Sequence, residues 1–169
     1  MHNRIRYSPL RDKITDAGTA AAHIQDGTNL FISGFTSGYP KLVPRELVRR
    51  AQAGEEFKVN LFAGASTGES VDGILAEAGV VAWRRPYMSD RTMRRMINDN
   101  QIRFKDDHLS MLSGQVRAGN WGPVDVAIVE AVAITEDGNL IPTMSVGNTP
   151  THVRKADKII IEITREPEE

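Results

Sequence analysis

Three short stretches of this chain combine backbone freedom with polar side chains: Gly34-Phe35-Thr36-Ser37-Gly38-Tyr39-Pro40, Gly64-Ala65-Ser66-Thr67-Gly68 and Pro86-Tyr87-Met88-Ser89-Asp90. Small residues let a ligand come close to the main chain. The hydroxyls of Thr36, Ser37, Ser66, Thr67 and Ser89 offer hydrogen bonds, and amides at a following helix start favour an anion. That chemistry suits a small organic acid. The Gly34 loop lacks the Lys-Ser/Thr ending of a phosphate-cradling loop, and neither glycine loop has the three-glycine spacing of a dinucleotide turn, which argues against an ATPase or a nicotinamide enzyme. The same residues also build ordinary strand-to-helix turns, with glycine for backbone angles and Ser or Thr as caps. Pattern alone leaves both readings open.

Two carboxylates, Glu130 and Glu162, interrupt otherwise apolar runs. A buried acid can have a raised pKa and serve as base or nucleophile. The plainer reading, which we favour for both, is an acid that faces outward or is satisfied by a backbone amide or an arginine. Trp83 with Arg84 and Arg85, and Trp121 after Asn120, are residue types enriched at contact hot spots, though simple packing and solvation explains each of them too. Met88, Met93, Met96 and Met111 read as core filler.

The four histidines, His2, His23, His108 and His152, lie too far apart for a two-histidine helix motif, so a metal site has little support. Cysteine is absent, which excludes thiol catalysis, Cys-ligated zinc and intrachain disulfides. With 169 residues, 40% apolar side chains and 21 Lys and Arg against 22 Asp and Glu, the chain has the composition of one globular α/β-sized domain. A formal charge of -1 gives no basic field for nucleic acid. The residues Met1 to Lys13 carry Arg4, Arg6, Arg11 and Lys13 without an apolar core, unlike a secretory signal. No stretch approaches the roughly 20 apolar residues of a membrane span. These features place the expected compartment in the cytoplasm, with no membrane and no nucleic-acid partner.

The loops need elements to position them. Apolar runs alternate with helix-patterned segments, the signature of a layered α/β domain: a mostly parallel sheet flanked by helices. Helices are expected from about Asp16 to Ile24, from Pro44 to a Gly54 cap, from Ser70 to Ala78, from Asp90 to Asn98, from His108 to Val116 and from Thr149-Pro150 onward. Strands are expected at Asn29 to Ser33, Lys58 to Ala63, Val80 to Trp83 with Arg84 to Ser89 as its exit, Val124 to Ile134, and a closing buried strand at Lys158 to Ile163. Asp137-Gly138 predicts a hairpin returning antiparallel through Asn139 to Ser145. The acidic tail from residue 164 to residue 169 should fray. In open α/β sheets ligands bind outside the carboxyl ends of the strands, which is where all three polar loops fall.

Taken in order, Ser33-Gly34-Phe35-Thr36 with Gly38-Tyr39-Pro40-Lys41, Gly64-Ala65-Ser66-Thr67-Gly68, Val129-Glu130-Ala131 followed by Ala133 to Gly138, and Ser145-Val146-Gly147-Asn148 resemble the acetyl-CoA hydrolase/transferase family, particularly its succinyl-CoA:acetate CoA-transferases. The resemblance runs from about Arg4 to Ile163. It implies class I CoA-transferase chemistry. An enzyme glutamate attacks an acyl-CoA thioester, passes through acyl-glutamyl anhydride and glutamyl-CoA intermediates, and CoA goes to a second carboxylate. Coenzyme A is then a substrate, as acyl-CoA, and no metal is required.

Family members are much longer and have two similar α/β halves with the active site between them. The nucleophilic glutamate, its oxyanion loop and most CoA contacts belong to the second half, so no catalytic residue is expected here, and neither Glu130 nor Glu162 takes that role. Matched to the family, Ser66 and Ser89 fall at positions that hold the substrate carboxylate. Gly34, Phe35 and Thr36 line the same cleft and Asn148 lies at its margin. The expectation is the N-terminal domain of an acyl-CoA:carboxylate CoA-transferase or acetyl-CoA hydrolase, incomplete and inactive alone. It should have a C-terminal partner domain and an apolar exposed face that drives homo-oligomer formation. The alternative is a non-catalytic module that binds a small carboxylate or acyl-CoA or regulates a relative.

Overall fold

A computed structural model describes residues 4–32, 34 and 38–164 of the chain. Its architecture follows from strands whose alternate residues face two separate apolar layers. In β1 (Asn29–Ile32) and β2 (Val59–Ala63), Leu30, Ile32, Val59 and Leu61 point to one layer and Phe31 and Phe62 to the other. β5 (Val124–Ile134) repeats the alternation, with Val126 and Ile128 against Ala127. Both faces are covered, which is why these strands read as continuous apolar runs.

With β3 (Val81–Arg85) and β4 (Arg103–Phe104), the sheet runs β4-β3-β2-β1-β5-β6, and every neighbouring pair is parallel except β5 with β6. β7 (Ala156–Ile163) pairs parallel with β5. One apolar layer packs beneath α1 (Ala17–Ala21), α2 (Leu42–Gln52), α3 (Ile74–Glu77) and α4 (Arg91–Asn98), through residues such as Leu47, Leu75 and Met93. The other packs beneath α5 (Leu112–Arg117), through Leu112, Val116 and Trp121, and it includes the ring of His152 from α6 (Thr149–Lys155), edge-on to Phe31 at 5.1 Å. The expected α/β class and antiparallel return are therefore present. Among the described residues no helix is long and apolar enough to cross a membrane.

Local signals held where they were short-range. Asp16 and Asp90 cap α1 and α4, accepting the amides of Thr19 at 2.9 Å and Met93 at 2.8 Å. Other expectations need correction. Helix α2 starts at Leu42 rather than at Pro44, because a remote carboxylate satisfies its first amides. The segment after Gly68 opens with a π turn, Glu69–Gly73, before becoming α-helical at Ile74. The segment after His108 is first 3-10, Leu109–Met111, then helical, and Met111 is exposed rather than core. The returning strand β6 is only Leu140–Pro142, ending where proline has no amide to donate. β7 is an edge strand with Lys158 and Ile159 exposed, because it pairs with β5 alone. The tail from residue 165 lies outside the described residues.

Candidate functional site

The parallel strands deliver their following loops to one edge of the sheet, and two junctions form there. At the exit of β2 and β3, Ser66 and Ser89 meet: their hydroxyl oxygens lie 2.9 Å apart, and the Ser89 amide donates to Ser66 Oγ at 3.0 Å. Ser66 is half-buried and Ser89 exposed, so the pair faces solvent. Two hydroxyls carry two protons, and only one is used between them. Whichever oxygen accepts, its own O–H is left uncommitted and can donate to an anion. Thr67, in contrast, turns its hydroxyl inward, where it is buried with no partner among the described residues.

At the exit of β1, Gly34 and Gly64 approach Asn148. A Cβ on Gly64 would lie 3.6 Å from the Asn148 amide nitrogen and 3.7 Å from the Gly34 carbonyl oxygen. The Asn148 side chain is held from α5, with Ser113 Oγ donating to its Oδ1 at 2.6 Å. Gly34 adopts φ +125°, and a side chain there would meet the Tyr39 Cβ at 2.5 Å, so the loop folds back on itself only because this residue is glycine. Phe35 and Thr36, like Ser37, lie outside the described residues. Ser66 with Ser89, and Gly34 with Asn148, thus occupy neighbouring junctions along one sheet edge.

Sequence reasoning missed what stands behind the serine pair. Arg84 and Arg85 belong to β3 itself and are buried, not part of its exit or of a contact patch. Arg84 is completely buried and forms an ion pair with the equally buried Asp72 at 2.7 Å. Arg85 pairs with Asp107 at 2.7 Å, and its guanidinium packs over Trp121 at 4.4 Å and Trp83 at 5.3 Å. Trp121 is accordingly a buried packing residue. The signal that could have found Arg84 is the one that flagged Glu130 and Glu162: a charge within a run that must be buried, here leading into a polar loop.

Both glutamates have structural duties. Glu162 accepts the amides of Lys41, Leu42 and Val43 at 2.7, 2.9 and 2.8 Å and so caps α2. Glu130 accepts from Thr143 Oγ1 at 2.8 Å and lies 4.0 Å from Lys41 Nζ. His152 is fully buried, neither ring nitrogen has a partner among the described residues, and loss of water pushes its pKa down to about 4. Among the described residues no group of three or more His, Cys, Asp or Glu is arranged to hold a metal.

Most of the exposed large apolar side chains fall in segments that follow strands. Of the eight large ones among the described residues, Leu42, Tyr87, Leu109, Met111, Met144 and Val146 follow the strand ends at this edge, Met144 being 86% exposed. A shallow groove of about 420 Å³ between Tyr39, Arg45, Glu69, Ser70 and Ile74 opens on the same side, with the Tyr39 and Ser70 hydroxyls 2.8 Å apart. A second groove, about 440 Å³, lies at the opposite strand ends around His23, Asp26, Thr28 and Asp125, away from the serine pair.

The fold is that of solved CoA-transferases. Glutaconate coenzyme A-transferase from Acidaminococcus fermentans superposes with a TM-score of 0.66 at 14% identity, over 89% of this chain and 68% of that one. RipA from Yersinia pestis superposes with a TM-score of 0.73 at 17% identity, over 92% of this chain and 38% of that one. The chain belongs to the acetyl-CoA hydrolase/transferase family: the family profile described as "Acetyl-CoA hydrolase/transferase N-terminal domain" matches residues 1–168. It is 48% identical to the succinyl-CoA:acetate CoA-transferase of Clostridium kluyveri, over 95% of this chain and 30% of that protein. It is 37% identical to the acetyl-CoA hydrolase of Yarrowia lipolytica, over 96% of this chain and 34% of that protein. The chain therefore spans about a third of the length of these relatives.

Proposed function

We propose that this chain forms the carboxylate-binding wall of an acyl-CoA:carboxylate CoA-transferase or acetyl-CoA hydrolase, with the nucleophilic glutamate and most CoA contacts supplied by a C-terminal portion. The observation that carries this reading is the solvent-facing pair of Ser66 and Ser89, which leaves one hydroxyl proton free at the carboxyl edge of a parallel sheet. A carboxylate placed there accepts a charge-assisted hydrogen bond, the stronger kind, and is oriented for attack on the glutamyl-CoA thioester, forming the mixed anhydride as CoA thiolate leaves. Gly34 and Asn148, one junction away, border the same cleft.

Neither glutamate flagged in the sequence is available as the nucleophile, since Glu162 is consumed by three backbone amides and Glu130 by Thr143 and Lys41. The apolar rim of Tyr87, Leu109, Met111, Met144 and Val146 supports docking of the C-terminal portion over this edge. The same rim would drive self-association of the isolated chain.

The test mixes the chain with the C-terminal portion of the family and follows CoA exchange between succinyl-CoA and acetate, alongside hydrolysis of acetyl-CoA. Activity is expected only in the mixture. Turnover by the 169-residue chain alone would overturn the reading. Calorimetric binding of succinate or acetate to the chain, with no gain of activity in the mixture, would favour a binding module instead.

A further inference from the structure

We propose that the buried Arg84–Asp72 pair is a positioning device for the Ser66–Ser89 hydroxyls, an inference that rests on the carboxylate-binding reading of those serines. Arg84 donates Nε to Asp72 Oδ1 at 2.7 Å and Nη2 to Asp72 Oδ2 at 3.1 Å. Its Nη2 also donates to the Ala65 carbonyl at 3.1 Å, and Nη1 donates to the Pro86 carbonyl at 3.2 Å and to the Arg85 carbonyl. All five N–H donors of the guanidinium are thereby used. Asp72 in turn accepts the Thr67 amide at 3.0 Å.

The residues on both sides of Ser66 and the segment leading to Ser89 are thus tied to one ion pair. Ala65 and Thr67 hold the first loop, and Arg85 and Pro86 the second. The π turn Glu69–Gly73 completes the frame. It turns Asp72 inward and brings Gly73 so close to Asp90, the residue after Ser89, that a Cβ there would lie 2.9 Å from Asp90 Oδ2. π turns of this kind recur at functional sites.

Energetics favour a positional role over a stabilising one. Neither Arg84 nor Asp72 has any exposure, and a buried ion pair gains little over apolar packing of the same volume because both charges lose their water. What the planar fork does supply is fixed direction, which an ammonium cannot reproduce. Two serine hydroxyls on separate loops need that direction to meet at hydrogen-bond distance. Arg84 touches no substrate in this arrangement. It acts through the loops.

The experiment is a double-mutant cycle in the assembled enzyme, this chain with its C-terminal portion, using Ser66→Ala, Arg84→Lys and their combination. Ser66→Ala alone should raise the carboxylate KM about tenfold or more. Arg84→Lys should do the same while leaving the acyl-CoA KM within about threefold, since a displacement near 1 Å suffices for such losses. In the Arg84→Lys background Ser66→Ala should add less than about twofold. Multiplicative effects would overturn the positioning role and leave the serine reading intact, whereas a Ser66→Ala variant with unchanged carboxylate KM would sink the serine reading itself and the positioning role with it.

Should Arg84→Lys fail to fold, Asp72→Asn, which keeps volume and a hydrogen-bond acceptor for Thr67, carries the same cycle. A third measurement needs no variant. The Thr67 amide of the unmutated chain should exchange its hydrogen as slowly as the amides of β2, and exchange at the rate of an open loop would overturn the proposal.

Discussion

Glu130 and Glu162 stand side by side as register partners on β5 and β7, two like charges on adjacent strands. Lys41 reconciles them. Its backbone amide donates to Glu162 at 2.7 Å and its ammonium lies 4.0 Å from Glu130. The positive end of α2 disperses the second charge further, since Leu42 and Val43 add their amides to Glu162. Pro44, next in the helix, has no amide to offer, so three donors complete the cap. A sheet edge and a helix start more than a hundred residues apart are joined through one carboxylate.

Removing that carboxylate should cost stability without touching the serine pair. Glu162→Ala leaves three amides of the α2 start without their partner and should lower unfolding free energy by about 2–4 kcal/mol, read by urea denaturation. Glu162→Gln, which keeps an acceptor, should cost less than the alanine variant. Equal losses would show that the acceptor geometry matters less than the charge.

Ser66→Ala and Ser89→Ala should each weaken carboxylate binding by roughly 1.5–3 kcal/mol, about tenfold to a hundredfold in KM, with the acyl-CoA KM less affected. Steady-state kinetics of the assembled enzyme, varying each substrate in turn, makes the comparison. Both hydroxyls are at the surface, so thermal stability should stay close to that of the parent chain. Equal changes in both KM values would contradict the assignment.

His152 sets a pH dependence of stability. Burial lowers its folded pKa from 6.5 to about 4, so between these values the unfolded chain binds a proton that the folded one does not. Stability from this group is complete above pH 6.5 and is lost as pH falls toward 4, by about 3 kcal/mol in all. Urea unfolding at a series of pH values should show that slope, and His152→Leu should flatten it. An unchanged slope in the variant would assign the effect elsewhere.

Gly34→Ala should be severe for its size. The backbone sits at φ +125°, and the new methyl would meet Tyr39 Cβ at 2.5 Å and the Gly38 carbonyl at 2.7 Å. Strain and overlap together predict a loss of about 2–5 kcal/mol, or a displaced loop beside Asn148. A thermal melt separates this outcome from a harmless substitution, which would mean that the loop folds differently.

The order of residues alone determined the features that depend on near neighbours. The β-branched run from Val124 to Ile134 is the strand β5 residue for residue, and the helices expected to open at Asp16 and Asp90 do open there, with those residues as their caps. The polar loops after strands were legible too, because glycine and serine after an apolar run have few other places to go. The motif resemblance extended this to the family. Partners far along the chain were not legible from local pattern, and only the resemblance set Ser66 and Ser89 at one site. Glu162 meets Lys41 across 121 positions, Ser66 meets Ser89 across 23, and Arg84 meets Asp72 across 12.

Those meetings were decided by strand order, which sets β3 beside β2 and β7 beside β5. The same order turned the expected buried closing strand into an exposed edge and drew Arg84 into the interior against its intrinsic preference for water. A charge is buried only where a partner of opposite sign and enough acceptors already wait. Local sequence records the charge, and only the assembled sheet supplies what pairs with it.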